Sequence, residues 1–180
     1  LRCGIDRDVG IISTANPSST VRRIETGRAH VERLIRDVAE GTCRPPGDAG
    51  DLPTLRRFRP RPDLARRLEA GVAADGSLLP RHFWNLAFLA NWTGGTLGLY
   101  RTRLRELFGE LPVRDIGLLA SEGRFTIPMA DETAAGCAEI VANFLEFIPA
   151  EQADRDNPPT VLAHEVEEGR EYVLVFSNFS

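Results

Sequence analysis

Two hydrophobic rhythms divide the chain. Over residues 16–41, Val21, Ile24, Val31, Leu34, Ile35 and Val38 recur at three- and four-residue steps with Arg and Glu between them. That period predicts one amphipathic helix. Pro17 and Ser18 suit its start and Gly41 suits its end. Ahead of it, residues 9–15 (VGIISTA) are short, apolar and β-branched, and read as a buried strand. Residues 62–72 (PDLARRLEAGV) read as a short helix stopped at Gly71. Residues 83–92 (FWNLAFLANW) are a strand-like apolar run closed by TGGT at 93–96. Helical spacing returns over 97–109, with Leu97, Tyr100, Leu104, Leu107 and Phe108 on one face. Residues 111–120 (LPVRDIGLLA) then read as another buried strand, ending abruptly at Ser121-Glu122-Gly123. Strand, TGGT, helix, strand, SEG is a βαβ order, which calls for parallel strands and a right-handed crossover.

The last third changes rhythm. Residues 136–150 and 170–180 are strand-like, and the polar, Pro-containing stretch 151–169 joins them. Consecutive strands without helices predict an antiparallel section. The expected fold class is therefore α/β: a parallel βαβ part over 1–128, then a β-rich part over 129–180, within one domain. Residues 42–62 are dense in Pro, Gly and Arg and read as a loop. Its arginines Arg56, Arg57, Arg59 and Arg61 are read as solvated rather than as an anion site.

Composition narrows the chemistry. The chain has 180 residues and a net charge of −4, which gives no sign of a nucleic-acid surface. All 22 basic residues are arginine, so lysine chemistry is excluded. The three cysteines (Cys3, Cys43, Cys137) and three histidines (His30, His82, His164) are scattered without metal-ligand spacing. No run approaches the ~18 apolar residues of a membrane span, and no signal peptide is visible. A reducing cytoplasm is the expected location. The first residue is Leu1, and the last stretch is a β-rich run without a closing turn. Both are expected of a piece cut from a longer chain.

Ligands in open α/β sheets gather at the carboxyl ends of the parallel strands, where TGGT and SEG are expected to lie. Gly94 and Gly95 allow backbone N–H groups close to a ligand, and Thr93 and Thr96 add hydroxyls. Ser121 adds another hydroxyl and Glu122 a carboxylate. A carboxylate repels phosphates unless a divalent cation lies between them, and Mg²⁺ prefers one or two carboxylates plus phosphate oxygens. The residues thus allow an α/β ligand site of Mg–nucleotide type. No lysine-bearing phosphate loop and no G-x-S-x-G elbow is present, since Leu119 stands where the elbow needs glycine. Glu146 stands alone in NFLEFIP. Alternation puts Phe144, Glu146 and Ile148 on one face, so Glu146 is either at a solvent-facing edge or in a polar site.

The order LANWTGGTLGLY…LFGELPVRDIGLLASEG resembles the adenylate-forming superfamily. Joined to FLEFIP at 144–149, it is similar to the Gretchen Hagen family of acyl-amido synthetases (the auxin-responsive promoter family), including its bacterial members. The opening 42 residues also look like that family's middle segment, so the resemblance covers essentially the whole chain.

The resemblance implies part of an adenylate-forming N-terminal domain, in a ligase that adenylates a carboxylic acid with Mg-ATP and passes the acyl group to an amino acid or other amine. It implies Ala120, Ser121, Glu122 and Gly123 at the nucleotide, with Glu122 catalytic and near Mg²⁺. Thr93, Gly94, Gly95, Thr96 and Glu146 would line the acyl and adenylate pocket. Neither nucleic acid nor membrane is an expected partner.

The family's phosphate loop and mobile carboxy-terminal domain have no counterpart here. Leu118 replaces an aromatic residue common in the superfamily. The 180 residues are accordingly expected to be an internal fragment, inactive alone. The alternatives are an acyl-CoA ligase of the same superfamily and a non-catalytic ligand-binding module.

Overall fold

A computed structural model describes residues 1–44 and 58–178, so Arg56 and Arg57 lie outside the described residues. The chain forms two compact units. The first comprises residues 1–116 and 130–135, the second 117–129 and 136–180.

In the first unit the order is β1 (Ile11–Ser13), α1 (Pro17–Ala29), α2 (Val31–Glu40), α3 (Pro62–Asp75), β2 (Phe88–Ala90), α4 (Arg101–Phe108) and β3 (Val113–Arg114). The three strands make a parallel sheet in the order β1-β2-β3. The predicted βαβ unit is present, with α4 joining β2 to β3. Ile24, Val38, Leu68, Leu89, Leu107 and Val113 anchor one apolar core between helices and sheet. Of these, Ile24, Val38 and Leu107 fall at the helical spacing that predicted them.

Asn16 caps α1 by accepting from the Ser18 N–H at 2.9 Å, with Pro17 at the first helical position. The single helix expected over 16–41 is two. His30 leaves helical geometry (φ −123°, ψ 32°) between α1 and α2. The apolar period runs through His30 unbroken, so it carries no sign of the break. Gly41 does stop α2, in the left-handed conformation (φ 71°). Gly95–Tyr100 winds as a 3-10 turn ahead of α4, where Gly95 and Gly98 weaken the α-helix predicted from 97.

Gly71 does not stop α3, which continues to Asp75 and ends at the left-handed Gly76 (φ 67°). Gly71 is needed for space. A Cβ there would lie 2.6 Å from the ring of buried His82. Gly71→Ala should therefore destabilise by about 1–3 kcal/mol, although alanine is the better helix former by about 1 kcal/mol. Urea denaturation measures this, and a more stable variant would show that the His82 ring yields.

His82 itself is structural. Its Nδ1 accepts the Leu79 N–H at 3.2 Å, so Nε2 carries the proton it donates to Asp75 at 2.6 Å. That bond, with the Arg81 guanidinium at 2.7 Å, holds the Asp75 carboxyl below the usual carboxylate range. The folded pKa lies below the unfolded one. The contribution is thus complete above the unfolded value of about 4 and is lost as pH falls through the folded value. Asp75→Asn should flatten the acid limb of the stability–pH curve below about pH 4, and an acid limb identical to wild type contradicts this.

The second unit is antiparallel: β4 (Leu119–Ala120), β5 (Gly123–Arg124), β6 (Thr126–Pro128), β7 (Gly136–Ala138), β8 (Phe144–Pro149), β9 (Val161–Leu162) and β10 (Tyr172–Ser177). β4 pairs with β5, β6 with β7, and the others form a sheet in the order β10-β8-β9. Phe125 and Leu145 are buried here, and the Phe125 ring packs tilted against Phe176 with centroids 4.6 Å apart. The strand read over 136–150 is two strands in different sheets. Between them the Glu139 carboxylate accepts from the Val141 and Ala142 N–H groups and turns the chain.

The buried parallel strand expected over 111–120 is also corrected. Only Val113–Arg114 pairs with β2. At Gly117 the chain turns with φ 83°, and a Cβ there would sit 2.3 Å from the Thr126 carbonyl oxygen. Leu118 beyond it is exposed. Residues 130–135 then cover the outer edge of β3. The Glu132 N–H donates to the Val113 carbonyl at 2.7 Å, and Arg114 pairs with Asp131 at 2.7 Å.

Candidate functional site

The parallel sheet ends on three polar residues. Ser13, Ala90 and Arg114 stand in register across β1, β2 and β3. One position past each comes Thr14, Asn91 and Asp115. This is the carboxyl edge at which open α/β sheets hold ligands.

Asn91 is fully buried and donates through Nδ2 to the Thr14 carbonyl at 3.0 Å and to Thr14 Oγ1 at 2.6 Å. Thr14 Oγ1 also meets Thr20 Oγ1 of α1 at 2.9 Å. These bonds tie the ends of β1 and β2 to the start of α1.

Asp115 holds the TGGT loop. Its Oδ2 accepts from the Thr93 N–H at 2.6 Å and from the Thr93 hydroxyl at 2.8 Å. Asp115 is buried and both bonds are partly shielded from water. The Thr93 hydroxyl is thereby committed to the loop's own architecture. Gly95 takes φ 57°, a left-handed conformation that glycine adopts without strain, and Gly95 and Thr96 are exposed. Asp115 escaped the sequence reading because the apolar run around it hid it. Its signal was a carboxylate directly after the two residues that pair as β3.

In the second unit, Ala120 and Gly123 stand opposite each other in register, so Ser121 and Glu122 are the two turn residues of an antiparallel hairpin. They do not lie at the end of a parallel strand. The Glu122 side chain is exposed and makes no ion pair among the described residues. Its carbonyl accepts from Asn178 Nδ2 at 3.1 Å. A cavity of about 580 Å³ opens beside the turn, lined by Glu122, Gly123, Arg124, Glu139, Asn143 and Asn178 together with Ala142. Of the residues expected at a nucleotide, Glu122 and Gly123 line it, while Ala120 and Ser121 do not.

Glu146 lies on the central strand β8, half-buried, and not at a sheet edge. Val175 and Leu162 flank it in register, and its Oε1 accepts from the Thr160 hydroxyl at 2.9 Å. It does not line the cavity beside Glu122. Thr93, Gly94, Gly95 and Thr96 belong to the first unit, and the hairpin and Glu146 to the second.

Among the described residues no group of three or more His, Cys, Asp or Glu side chains could hold a metal by itself. A Mg²⁺ that takes most of its ligands from phosphate and water needs only one carboxylate. An exposed Glu122 without an ion pair fits that donor set. A further cavity of about 480 Å³, lined by Arg22, Arg23, His30 and Leu34 among others, contains none of the expected site residues.

The comparisons agree with this architecture. Residues 1–113 match the family model described as "GH3 family N-terminal domain", and residues 139–180 match "GH3 family central domain". The jasmonoyl–L-amino acid synthetase JAR6 of Nicotiana attenuata is 26% identical over 198 residues, covering 100% of this chain and 33% of that protein. Among solved structures, "GH3.15 acyl acid amido synthetase" superposes with a TM-score of 0.75 at 19% identity, over 99% of this chain and 34% of that one. "AtGH3.15 acyl acid amido synthetase in complex with 2,4-DB" gives 0.79 at 21% identity, over 99% and 32%. At these identities the superpositions establish the fold. The chain spans about a third of the length of the relatives it matches.

Proposed function

The chain belongs to the GH3 (Gretchen Hagen 3) family, and from that premise we propose that it is part of the adenylating domain of an ATP-dependent acid–amino acid ligase. The carboxylate of an organic acid attacks the α-phosphorus of ATP, and pyrophosphate leaves. The nitrogen of an amino acid or other amine then attacks the acyl carbonyl carbon, loses a proton and expels AMP. The observation that carries this reading is the exposed Glu122 carboxylate, without an ion pair among the described residues, lining a cavity of about 580 Å³.

In this reading Glu122 would hold Mg²⁺, which would supply charge neutralisation at the phosphates. Gly123 keeps the turn beside the nucleotide free of a side chain, and Ala120 and Ser121 complete that turn. The TGGT loop, Thr93 to Thr96, lines the acyl and adenylate pocket on a backbone that Asp115 fixes. In the second unit, Glu146 is a half-buried carboxylate that the Thr160 hydroxyl orients, available to a polar group of the substrate.

Neither nucleic acid nor membrane is a partner in this proposal. Among the described residues no helix is long and apolar enough to cross a membrane. The unpaired thiols of Cys3, Cys43 and Cys137 suit a reducing cytoplasm.

The test is product analysis with the full-length protein, Mg-ATP, a panel of carboxylic acids and either amino acids or coenzyme A. An amide with stoichiometric AMP and pyrophosphate is expected. A thioester would favour an acyl-CoA ligase, and ATP left unconsumed with every acid would favour a binding module.

A further inference from the structure

We infer that Asn143 reads the base of the bound nucleotide, accepting a hydrogen bond from an exocyclic amine through Oδ1 and so favouring adenine. The inference rests on the nucleotide reading of the Glu122 turn. Asn143 is buried at 8% exposure, directly before β8. Its Nδ2 donates to the Arg124 carbonyl at 2.9 Å and to Glu139 Oε2 at 3.1 Å. Both amide hydrogens are thereby used. A flipped amide would set Oδ1 against two acceptors, so the orientation is fixed by chemistry.

Glu139 is equally fixed. Its carboxylate also accepts from the Val141 and Ala142 N–H groups, so it serves the loop rather than the cavity. The acceptor left on Asn143 is Oδ1, held in a fixed orientation on a residue that lines the cavity. It faces Gly123, where a Cβ would come within 3.4 Å of it. Asn143 and Gly123 line the same cavity as Glu122. The turn that offers a carboxylate for Mg²⁺ thus sits beside a fixed amide acceptor within one unit.

An acceptor locked in place discriminates by hydrogen-bond polarity. The adenine N6 amine donates to it. The O6 of hypoxanthine or guanine is an acceptor and faces it unfavourably. A site built to pair a polar group rejects analogues that leave the group unpaired.

The experiment measures ATP and ITP side by side in acid-dependent pyrophosphate release by the full-length protein. The wild type should favour ATP over ITP in kcat/KM by about ten- to hundredfold, the range of one discriminating base contact. Asn143→Leu removes the acceptor and should bring that ratio to within about threefold of one, mainly through KM for ATP. A melting curve checks that the variant folds. If it does not fold, the wild-type ratio decides. Equal use of ATP and ITP by the wild type overturns the inference, as does a folded Asn143→Leu protein with an unchanged ratio. Wild-type protein that binds no nucleotide overturns the nucleotide reading as well, so the two failures are distinguishable.

Discussion

Glu122→Gln in the full-length protein should lower acid-dependent ATP–pyrophosphate exchange by about a hundredfold or more while leaving the fold intact. The change removes one negative charge and almost no volume. At the tip of a hairpin, exposed and without an ion pair among the described residues, Glu122 contributes little to folding. Substitutions at such positions usually shift stability by less than about 0.5 kcal/mol. A hundredfold loss corresponds to about 2.7 kcal/mol of transition-state stabilisation, well within what one charged ligand to a catalytic cation supplies. The paired measurements are exchange kinetics and a melting curve. Wild-type exchange in this variant refutes the metal role, and a large loss of stability would make the residue structural instead.

Asp115→Ala should be costly in a different way. It deletes the acceptor of both the Thr93 N–H and the Thr93 hydroxyl in a part-buried setting. Leaving buried donors unsatisfied costs about 1–3 kcal/mol. The TGGT backbone loses its tether at the same time, so the acid's KM should rise at least about tenfold if that loop lines the acyl pocket. Asp115→Asn retains a carbonyl oxygen that can accept from Thr93 and should recover most of the loss. Urea denaturation and acid-dependent exchange measure the two effects. Equal stability of Asp115→Ala and wild type would show that Thr93 finds another acceptor.

The first unit was largely legible because its helices bury one face at a regular period. Val21, Ile24, Leu104 and Leu107 announced their core positions, and the βαβ order announced parallel strands. What stayed hidden depends on tertiary contact. Gly71 reads as a stop until His82 is packed against it. Residues 111–120 read as one strand because Ile116, Leu118 and Leu119 are apolar, yet Gly117 turns the chain and leaves Leu118 exposed. Apolar side chains on an exposed segment cannot be told from buried ones by composition.

The same limit governed the site. Glu122 and the Gly94–Gly95 pair stood out as polar or glycine residues closing apolar runs. Asp115 and Asn143 did not, because their importance lies in partners 22 and 19 residues away, Thr93 and the Arg124 carbonyl. Alternation alone leaves Glu146 between an edge and a polar site. The sheet order β10-β8-β9 removes the edge, and Thr160 supplies a polar neighbour.

Carboxylate-dependent ATP–pyrophosphate exchange by the full-length protein, with Mg²⁺ and no amine or coenzyme A, tests adenylation itself. Exchange should appear only when a suitable acid is present and disappear in Glu122→Gln. Absence of exchange across a broad panel of acids, in a folded protein that binds ATP, would contradict adenylation.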